Sequence, residues 1–483
     1  MRNEKRYNIV CGMLKEKYNF IVLILFTVMI ISLCFQDTIN YDEYFSMHWC
    51  RMKWKDLIQC LINDVHPPLY YLLLKPIVDL TNGNMLCARL LSAVSGIVLL
   101  WSGSLFLENN FGKKSAIFFS CFLCLNPFMI QKVTEIRMYM LASMFTGISG
   151  IISYYILKNP KRKYWIIFTV SSLLAAYTHY YALFCMIFLY MGILIFFVFI
   201  HAKKEIINWL FCSLATIIGY LLWLPTALKQ VASVNNNYWI SISNSILAPL
   251  KELFYTMIPY TEYVYLGIIV ILTVCLLLLF LKKKLLDDYW ALICVSALWG
   301  IFLFATWYSY KITPILLSRY LIIPICLLFM GISSITRVLN KYIIIITCLF
   351  CVLIGGNRYI DTVKAQSNHN TTRTVEFANE NFVENDVILY CNVNEDDIYF
   401  TNCVTYYFPN TICMPIEKVQ LNNPEEIVLE NNMLSHMETA WLLDTTYSMM
   451  ENEFNMEGFT IEDCGSYGFN TMTFEIYKIT YNN

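Results

Sequence analysis

The residues best suited to chemistry in this chain follow its first hydrophobic run. Two adjacent carboxylates, Asp42 and Glu43, lie in the segment 40–48, where a membrane helix would end in water. His66 follows in the segment 64–71, directly before a Pro-Pro pair that would open the next helix. Ionisable groups kept at a membrane surface are functional candidates, because removing a charge from water is costly. Carboxylates also cap helix N-termini, and the spacing alone leaves both interpretations open.

The composition indicates an integral membrane protein. Of the 483 residues, 58% are hydrophobic and 14% are charged, whereas soluble domains average about 45–50% apolar and about 25% charged residues. The net charge of -1 argues against a nucleic acid as a partner. The sequence contains no glycine-rich nucleotide-binding loop, which argues against a soluble nucleotide-sugar or ATP as substrate.

Hydropathy predicts about eleven membrane-spanning helices, several of them near the ~20 residues that a spanning helix needs. The first run is too long and too poor in cleavage-site residues for an ordinary signal peptide, so we predict an anchor. The predicted spans are 19–35, 85–107, 115–131, 138–157, 164–178, 181–200, 207–228, 263–281, 289–307, 320–336 and 342–356.

Basic residues determine the predicted orientation. Lysine and arginine concentrate in the N-terminal tail and in alternate short loops, a distribution typical of the cytoplasmic side. These residues are Arg2, Lys5, Arg6, Lys15, Lys17, Lys113, Lys114, Lys158, Lys161, Arg162, Lys163, Lys203, Lys204, Lys282, Lys283, Lys284, Arg337 and Lys341. The segment that contains Asp42 and the loops near His179, at 229–262 and at 308–319 are then expected outside.

The chain divides into two predicted domains. Residues 1–356 form the transmembrane domain, whose first outer loop, 36–84, carries the acidic pair. Residues 357–483 are polar and acidic, and short apolar strands alternate there with helix-like stretches. The strands include 387–391 and 441–444, and the helix-like stretches lie near 373–384, 396–408 and 446–456. This alternation predicts a small extracytoplasmic α/β domain.

The first outer loop also contains an amphipathic pattern at 54–62. Its apolar residues recur at helical spacing, which gives one apolar face. They are Trp54, Leu57, Ile58, Leu61 and Ile62. Such a helix could lie in the membrane interface or pack on the protein's own outer domain, and the pattern fits both.

Further polar residues mark apolar boundaries on the same predicted face. Arg137 lies between the third and fourth spans, and His179 between the fifth and sixth. Arg319 and Tyr320 begin the tenth. The positive-inside preference does not explain two outer arginines, although each alone could reach lipid headgroups, and His179 alone would more often be a satisfied buried histidine. Guanidinium groups bind phosphate bidentately, so the set predicts a phosphate-bearing ligand delivered by the membrane.

Four motifs resemble those of the membrane-embedded GT-C glycosyltransferases. The similarity is to the branch of family 39-type protein O-mannosyltransferases and lipid A aminoarabinose transferase. The motifs are YDEYFSMHW after the first membrane helix, DVHPPLYYLLLK opening the second, IRMYML at the fourth and SRYLIIP at the tenth. The resemblance covers roughly residues 18–340, and its most specific element is the acidic pair combined with His-Pro-Pro. It implies a polytopic α-helical membrane domain of GT-C type, whereas the small C-terminal α/β domain is predicted from the sequence pattern of the tail alone.

This resemblance implies an enzyme that takes a hexosyl or pentosyl group from a polyprenyl-phosphate donor. The sugar would pass to a glycan, lipid or protein acceptor at the extracytoplasmic face of the cell membrane. By the resemblance, Asp42 is the catalytic base and Glu43 its partner. Arg137 and Arg319 would contact the donor phosphate, and the substrate-binding set also includes His66, His179 and Tyr320. Some members have lysine at the position of His66.

The sequence assigns no metal site, although a divalent cation could bind. Zinc and hard cations use carboxylate and imidazole ligands, and four such residues lie near one another along the chain: Asp42, Glu43, His48 and His66. Their spacing matches no closed site.

Two other functions remain open. A transporter or flippase of a lipid-linked saccharide would use the same arginines, but it predicts polar residues deep within several spans. The spans are nearly free of charge, and the polar groups cluster at one face, which favours catalysis there. A sensor whose helices only anchor an outer domain does not explain so many spans.

Overall fold

The computed structural model describes residues 19–35, 39–236, 245–256, 258–283, 285–366, 370–384, 386–391, 398–416, 439–445, 459–469 and 472–481. The helices are α1 (Asn19–Ser32), α2 (Tyr41–Arg51), α3 (Trp54–Asn63), α4 (Leu69–Leu80), α5 (Met85–Phe111), α6 (Lys113–Cys124), α7 (Pro127–Lys132), α8 (Tyr139–Lys158), α9 (Arg162–Thr178), α10 (Tyr180–Phe199), α11 (Lys203–Tyr220), α12 (Leu224–Asn236), α13 (Ala248–Glu252), α14 (Thr261–Lys283), α15 (Leu286–Lys311), α16 (Ser318–Ser334), α17 (Lys341–Gln366), α18 (Asn370–Asn381) and α19 (Ile398–Tyr407). The strands are β1 (Val387–Cys391), β2 (Ile412–Ile416), β3 (Thr439–Asp444), β4 (Phe459–Phe469) and β5 (Met472–Tyr481).

The chain forms two compact units. The helical unit comprises Met1–Cys34 and Trp49–Val363, and the C-terminal unit comprises Phe35–His48 and Lys364–Asn483. The first residues of α2, including the acidic pair, therefore group with the C-terminal domain and not with the transmembrane helices.

The helical unit is that of a multi-pass membrane protein. Within the described ranges, seven helices are long and apolar enough to cross a membrane, and α11 with α12 makes an eighth candidate. Three other predicted spans form shorter helices, α1, α6 and α9. The predicted polytopic helical fold is confirmed, and the number of eleven spans stays a prediction.

Proline interrupts the spans predicted at 115–131 and 207–228. Pro127 follows Asn126, whose side chain accepts hydrogen bonds from two backbone N–H groups in the first turn of α7. Pro225 lies in the first turn of α12, which is bent by 67° from α11. Proline lacks an N–H donor and clashes with the carbonyl four residues earlier, so each helix ends before it and a new one begins.

Helix α16 is the most buried of the spanning helices, with 94% of its apolar stretch inside the protein. It packs against α15, α8 and α6. Gly331 permits the close approach to α15, because a Cβ atom there would lie 2.7 Å from the carbonyl oxygen of Ala291. Small residues allow such close helix packing in membranes. The N-terminal end of α16, which carries Arg319 and Tyr320, is therefore held on a tightly packed element.

The amphipathic helix α3 packs on the helical unit. Leu57 and Leu61 are fully buried, whereas Trp54 and Ile58 are exposed. The Gln230 side chain of α12 donates a hydrogen bond of 2.8 Å to the carbonyl oxygen of Leu61. One edge of the predicted apolar face thus contacts protein, and the other is available to a membrane interface.

The C-terminal unit contains a five-stranded mixed sheet in the order β2-β1-β3-β5-β4. β1 pairs in parallel with β2 and β3, whereas β5 pairs antiparallel with β3 and β4. Aromatic residues such as Phe400, Trp441, Phe469 and Phe474 form its core. The predicted α/β character is confirmed, with α18 and α19 near the predicted helical stretches. The stretch near 446–456 lies outside the described residues.

Candidate active site

The five predicted binding residues of the helical unit lie at the N-terminal ends of four helices. His66 precedes α4, Arg137 precedes α8, and His179 caps α10. Arg319 and Tyr320 are in the first turn of α16. Helix N-termini carry backbone N–H groups without intrahelical partners and a partial positive charge. Because the N-terminal ends of four helices lie together here, they create an electropositive environment inside a membrane protein.

The side chains of His66, Arg137, His179 and Tyr320 lie close together, and the Arg319 guanidinium carbon lies 5.8 Å from the centroid of the Tyr320 ring. The imidazole centroids of His66 and His179 are 5.4 Å apart, and the Tyr320 ring lies 4.9 Å from His179 and 6.0 Å from His66. Arg137 Nη2 is 3.3 Å from His66 Nε2. We call Arg137, Arg319, His66 and His179 the anion site, because they combine two fixed positive charges with imidazole donors.

Arg137 is held by a buried polar network. Its Nη1 donates a hydrogen bond of 3.0 Å to the Tyr71 hydroxyl. The loop that carries it is anchored by Ser92 of α5, whose Oγ donates a 2.6 Å hydrogen bond to the carbonyl oxygen of Glu135. The Glu135 carboxylate pairs with Lys132 Nζ at 2.7 Å. These contacts hold Arg137 and the loop that carries it in place.

Burial and neighbouring positive charges favour the neutral form of both histidines of the anion site. Burial, followed by the charge of Arg137, holds the pKa of His66 well below its usual range. Burial, followed by the charges of Arg137 and Arg319, lowers the pKa of His179 to about 3. At neutral pH neither imidazole can act as a proton-carrying acid, and each keeps a single N–H donor.

The hydrogen bonds assign the tautomers. His179 Nδ1 accepts a hydrogen bond of 3.0 Å from the backbone N–H of Tyr181, so its proton is on Nε2. His66 Nε2 faces a guanidinium donor of Arg137, so its proton is on Nδ1. His66 Nδ1 and His179 Nε2 are buried and have no hydrogen-bond partner among the described residues. Two buried donors therefore need an acceptor, which an anion could supply.

An apolar cavity of about 360 Å³ adjoins the anion site. His66, His179 and Tyr320 line one part of it. The other lining residues are mostly apolar and come largely from α10, α11, α12 and α15: Val65, Tyr180, Tyr181, Leu183, Phe184, Tyr220, Leu224, Ala227, Leu228, Gln230, Val231, Phe304, Tyr308 and Ile315. Leu228 and Val231 line the cavity and are also 63% and 49% exposed, so it reaches the outer surface of the helical unit.

The acidic pair lies in the C-terminal unit, at the start of α2. Glu43 and Asn40 form a reciprocal cap, in which Glu43 Oε2 accepts from the Asn40 N–H at 3.1 Å. Asn40 Oδ1 accepts from the Glu43 N–H at 2.9 Å. This is the capping-box arrangement. Glu43 therefore caps the N-terminus of α2, which is one of the two roles that the sequence left open for the acidic pair. Asp42 lies in the same helical turn and is half-buried.

Within the described part of the chain, no three histidine, cysteine, aspartate or glutamate side chains gather as a metal site. His48, one of the potential ligands, stacks on the Tyr44 ring with centroids 5.4 Å apart. The arrangement therefore offers no defined donor set for a divalent cation among those residues.

Several residues of the site were missed in the sequence. Tyr71, Ser92 and Tyr181 lie inside or next to predicted apolar helices, where polar side chains usually serve helix packing. Tyr181 contacts Tyr320 with ring centroids 5.2 Å apart. A usable signal existed only for Tyr71, because it follows the His-Pro-Pro motif by one helical turn.

The helical arrangement has a counterpart among solved structures. The chain is similar to ArnT, the lipid A aminoarabinose transferase, from Cupriavidus metallidurans bound to undecaprenyl phosphate, with a TM-score of 0.58 and 11% identity over 95% of this chain and 97% of that chain. The same values describe the match to ArnT in the apo state. This chain has the fold of ArnT. The GT-C resemblance of the motifs is confirmed at the level of the fold.

A further similar structure is the oligosaccharyltransferase of Archaeoglobus fulgidus in complex with Zn and sulfate. The TM-score is 0.45, with 10% identity over 88% of this chain and 68% of that chain. No protein-family model and no curated protein sequence matches the chain.

Proposed function

We propose that this protein is a membrane glycosyltransferase that takes a sugar from a polyprenyl-phosphate donor and transfers it to an acceptor at the extracytoplasmic face. The observation that supports this most strongly is the anion site beside the apolar cavity. In a sugar joined through phosphate to a prenyl chain, the phosphate matches the anion site and the prenyl chain matches the apolar cavity. ArnT, which has the same fold, was solved with undecaprenyl phosphate.

The anion site binds the donor phosphate under this proposal. Arg137 and Arg319 supply the positive charges, and the neutral imidazoles of His66 and His179 supply N–H donors. Phosphate gains negative charge as its bond to the sugar breaks, and fixed donors stabilise that charge without reorganisation. Tyr320, which lies against both imidazoles, supports their orientation.

The apolar cavity takes the isoprene units nearest the phosphate. Its volume of about 360 Å³ is at the small end of the range for ligand pockets, about 300–1,000 Å³. The remaining prenyl chain continues past Leu228 and Val231, the lining residues that reach the outer surface. There it would be surrounded by lipid, where an apolar chain has no desolvation cost.

Asp42 is the general base in the proposed reaction. The acceptor hydroxyl oxygen forms the new bond to the anomeric carbon, and its proton passes to the Asp42 carboxylate. The bond between the anomeric carbon and the phosphate oxygen breaks, and the bonding electrons leave with polyprenyl phosphate. Glu43 holds the first turn of α2 through its cap with Asn40, which makes it a positioning partner.

Mass spectrometry of polyprenyl-phosphate sugars, in cells with and without this protein, tests the function and identifies the donor. One lipid-linked sugar should accumulate when the protein is missing. The purified protein in vesicles should then release polyprenyl phosphate in step with glycosylation of the acceptor. If the purified protein instead moves the lipid-linked sugar across the bilayer without consuming it, the protein is a flippase and the proposed transferase function is wrong.

A further inference from the structure

We infer that the C-terminal domain positions the helix that carries the catalytic base, and that Tyr407 of α19 is the principal positioning residue. This inference rests on the proposed function, since it gives the domain a role in the same reaction. All of the residues that carry it belong to the C-terminal unit.

Three contacts join the start of α2 to α19. The backbone N–H of Ile39 donates a hydrogen bond of 3.0 Å to the Tyr407 hydroxyl. The Tyr44 hydroxyl lies 3.3 Å from Thr405 Oγ1, and the Tyr44 ring meets the Tyr406 ring edge-on with centroids 6.1 Å apart. Ile39 is 1% exposed and Tyr44 is 7% exposed, so the α2 side of these contacts is shielded from water.

Tyr407 is itself fixed to the sheet. Its ring stacks on Phe469 of β4, with centroids 5.1 Å apart and planes 13° from parallel. Phe469 is 1% exposed and packs on Phe400 and Phe474 in the core of the domain. A rigid path of contacts therefore leads from the sheet through Tyr407 to Ile39.

The path ends one residue before the cap of α2. Ile39 precedes Asn40, which forms the reciprocal cap with Glu43. Asp42 stands between these two capping residues, in the first helical turn. The hydrogen bond from Ile39 to Tyr407 thus fixes where the turn begins, and the cap fixes its orientation. A misplacement of about 1 Å in a catalytic group can lower a rate by about 10²-fold.

The substitution Tyr407→Phe removes the hydroxyl and keeps the ring that stacks on Phe469. For the purified full-length protein we expect kcat to fall about tenfold, because the base is less well aligned with the acceptor. KM for the lipid donor should stay unchanged, since the residues of the anion site belong to the helical unit. A merely structural role would lower the amount of folded protein and leave kcat per folded molecule intact.

Tyr477→Phe is the matched control in the same domain. Its hydroxyl is buried and has no hydrogen-bond partner among the described residues, so its removal should leave kcat unchanged. Thr405→Ala is a milder second variant at an exposed position, and it should lower kcat by a few-fold at an unchanged thermal midpoint.

Unchanged kcat in both Tyr407→Phe and Thr405→Ala would overturn the inference. An equal loss in Tyr407→Phe and Tyr477→Phe would also overturn it, because the effect would then be one of domain stability. These results are distinguishable from failure of the proposed function. If Asp42→Asn is inactive while Tyr407→Phe is fully active, only the positioning role fails. If Asp42→Asn retains full transferase activity, the general-base role of Asp42 fails. If the native protein transfers no sugar from a polyprenyl-phosphate donor, the proposed function itself fails.

Discussion

In the proposed reaction, His66 and His179 act in the anion site as neutral N–H donors. Histidines in a membrane protein are commonly considered as proton carriers, but burial and the two arginines depress both pKa values. A charged imidazole would add a third or fourth positive charge to a site that already holds two. The neutral form avoids this repulsion and leaves His66 Nδ1 and His179 Nε2 as donors. Proton transfer in the proposed reaction therefore depends on Asp42.

The depressed pKa of His179 predicts that the ligand-free protein loses stability in acid. Its value of about 3 lies below the usual 6.5, so as pH falls below about 6.5 the unfolded chain binds a proton that the folded protein does not. The free energy of unfolding therefore does not depend on His179 protonation above this pH and falls below it, by about 2 kcal/mol at pH 5 from this residue alone. The thermal midpoint measured from pH 7.5 to pH 5 checks this.

His179→Asn is the control for this pH dependence. Asparagine keeps a side-chain acceptor for the N-cap of α10 but does not titrate. The variant should lose less stability between pH 7.5 and pH 5 than the native protein, with a residual slope from His66. Identical slopes for the two proteins would show that His179 is not protonated on unfolding.

Arg319→Lys should weaken the binding of the lipid donor. Lysine keeps the positive charge but lacks the planar fork that binds phosphate bidentately, so we expect an apparent affinity about tenfold lower, or about 1.4 kcal/mol. The same change at the exposed Arg162 is the control and should have no effect. An unchanged apparent affinity for the lipid donor in Arg319→Lys would contradict the phosphate contact and would favour an interaction of Arg319 with lipid headgroups.

At the scale of elements, the anion site depends on helix ends that are held by their neighbours. The loop between α7 and α8 carries Arg137, and its Glu135 carbonyl is fixed by Ser92 of α5. α16 carries Arg319 at its start and is buried along most of its length. Loops that carry functional residues work when a rigid scaffold positions them. The helical packing thus determines the geometry of the site.

Ser92→Ala should loosen the loop that carries Arg137. It leaves the buried carbonyl of Glu135 without its 2.6 Å hydrogen bond, which costs about 1–3 kcal/mol. We expect KM for the donor to rise several-fold, measured with the purified protein. Ser95→Ala is the control on the same helix, because among the described residues Ser95 Oγ donates only to the Leu91 carbonyl within α5. Equal kinetics for the two variants would contradict the positioning role of Ser92.

The sequence predicted the members of the anion site because each of them stands where an apolar run begins. His66, Arg137, His179 and Arg319 are polar interruptions beside hydrophobic helices, and this local pattern is visible without a structure. Ser92 could not be predicted in the same way, because a hydroxyl inside an apolar helix has many packing roles, whereas the position of Tyr71 one helical turn after the His-Pro-Pro motif was a usable signal.

The grouping of the acidic pair with the C-terminal domain was not predictable either. It depends on contacts between Ile39 and Tyr407 and between Tyr44 and Thr405, residues that are more than 300 positions apart in the sequence. The hydrophobic periodicity of a local segment does not indicate which distant residues will contact it. The capping role of Glu43, in contrast, follows from its spacing of three residues from Asn40.

At the scale of the whole molecule, the proposed function requires the C-terminal domain and the anion site to face the extracytoplasmic side. The basic loops between the helices agree with this orientation by the positive-inside rule. We expect a membrane-impermeant maleimide to modify Cys464 of β4 in intact cells, as detected by mass spectrometry of the peptide that contains it. A cysteine introduced by Lys161→Cys should react only after the membrane is permeabilised. The reverse pattern would place the domain in the cytoplasm and exclude the proposed extracytoplasmic reaction.

The substitution Asp42→Asn tests the proposed mechanism most directly. Asparagine is nearly isosteric and keeps an oxygen that can accept hydrogen bonds at the helix start, but it cannot take the proton of the acceptor hydroxyl. With donor binding and expression retained, turnover should fall by roughly 10²–10⁴-fold. Glu43→Gln is the matched control and should be milder, since glutamine also completes a capping box. A well-expressed Asp42→Asn protein with full transferase activity would contradict the mechanism.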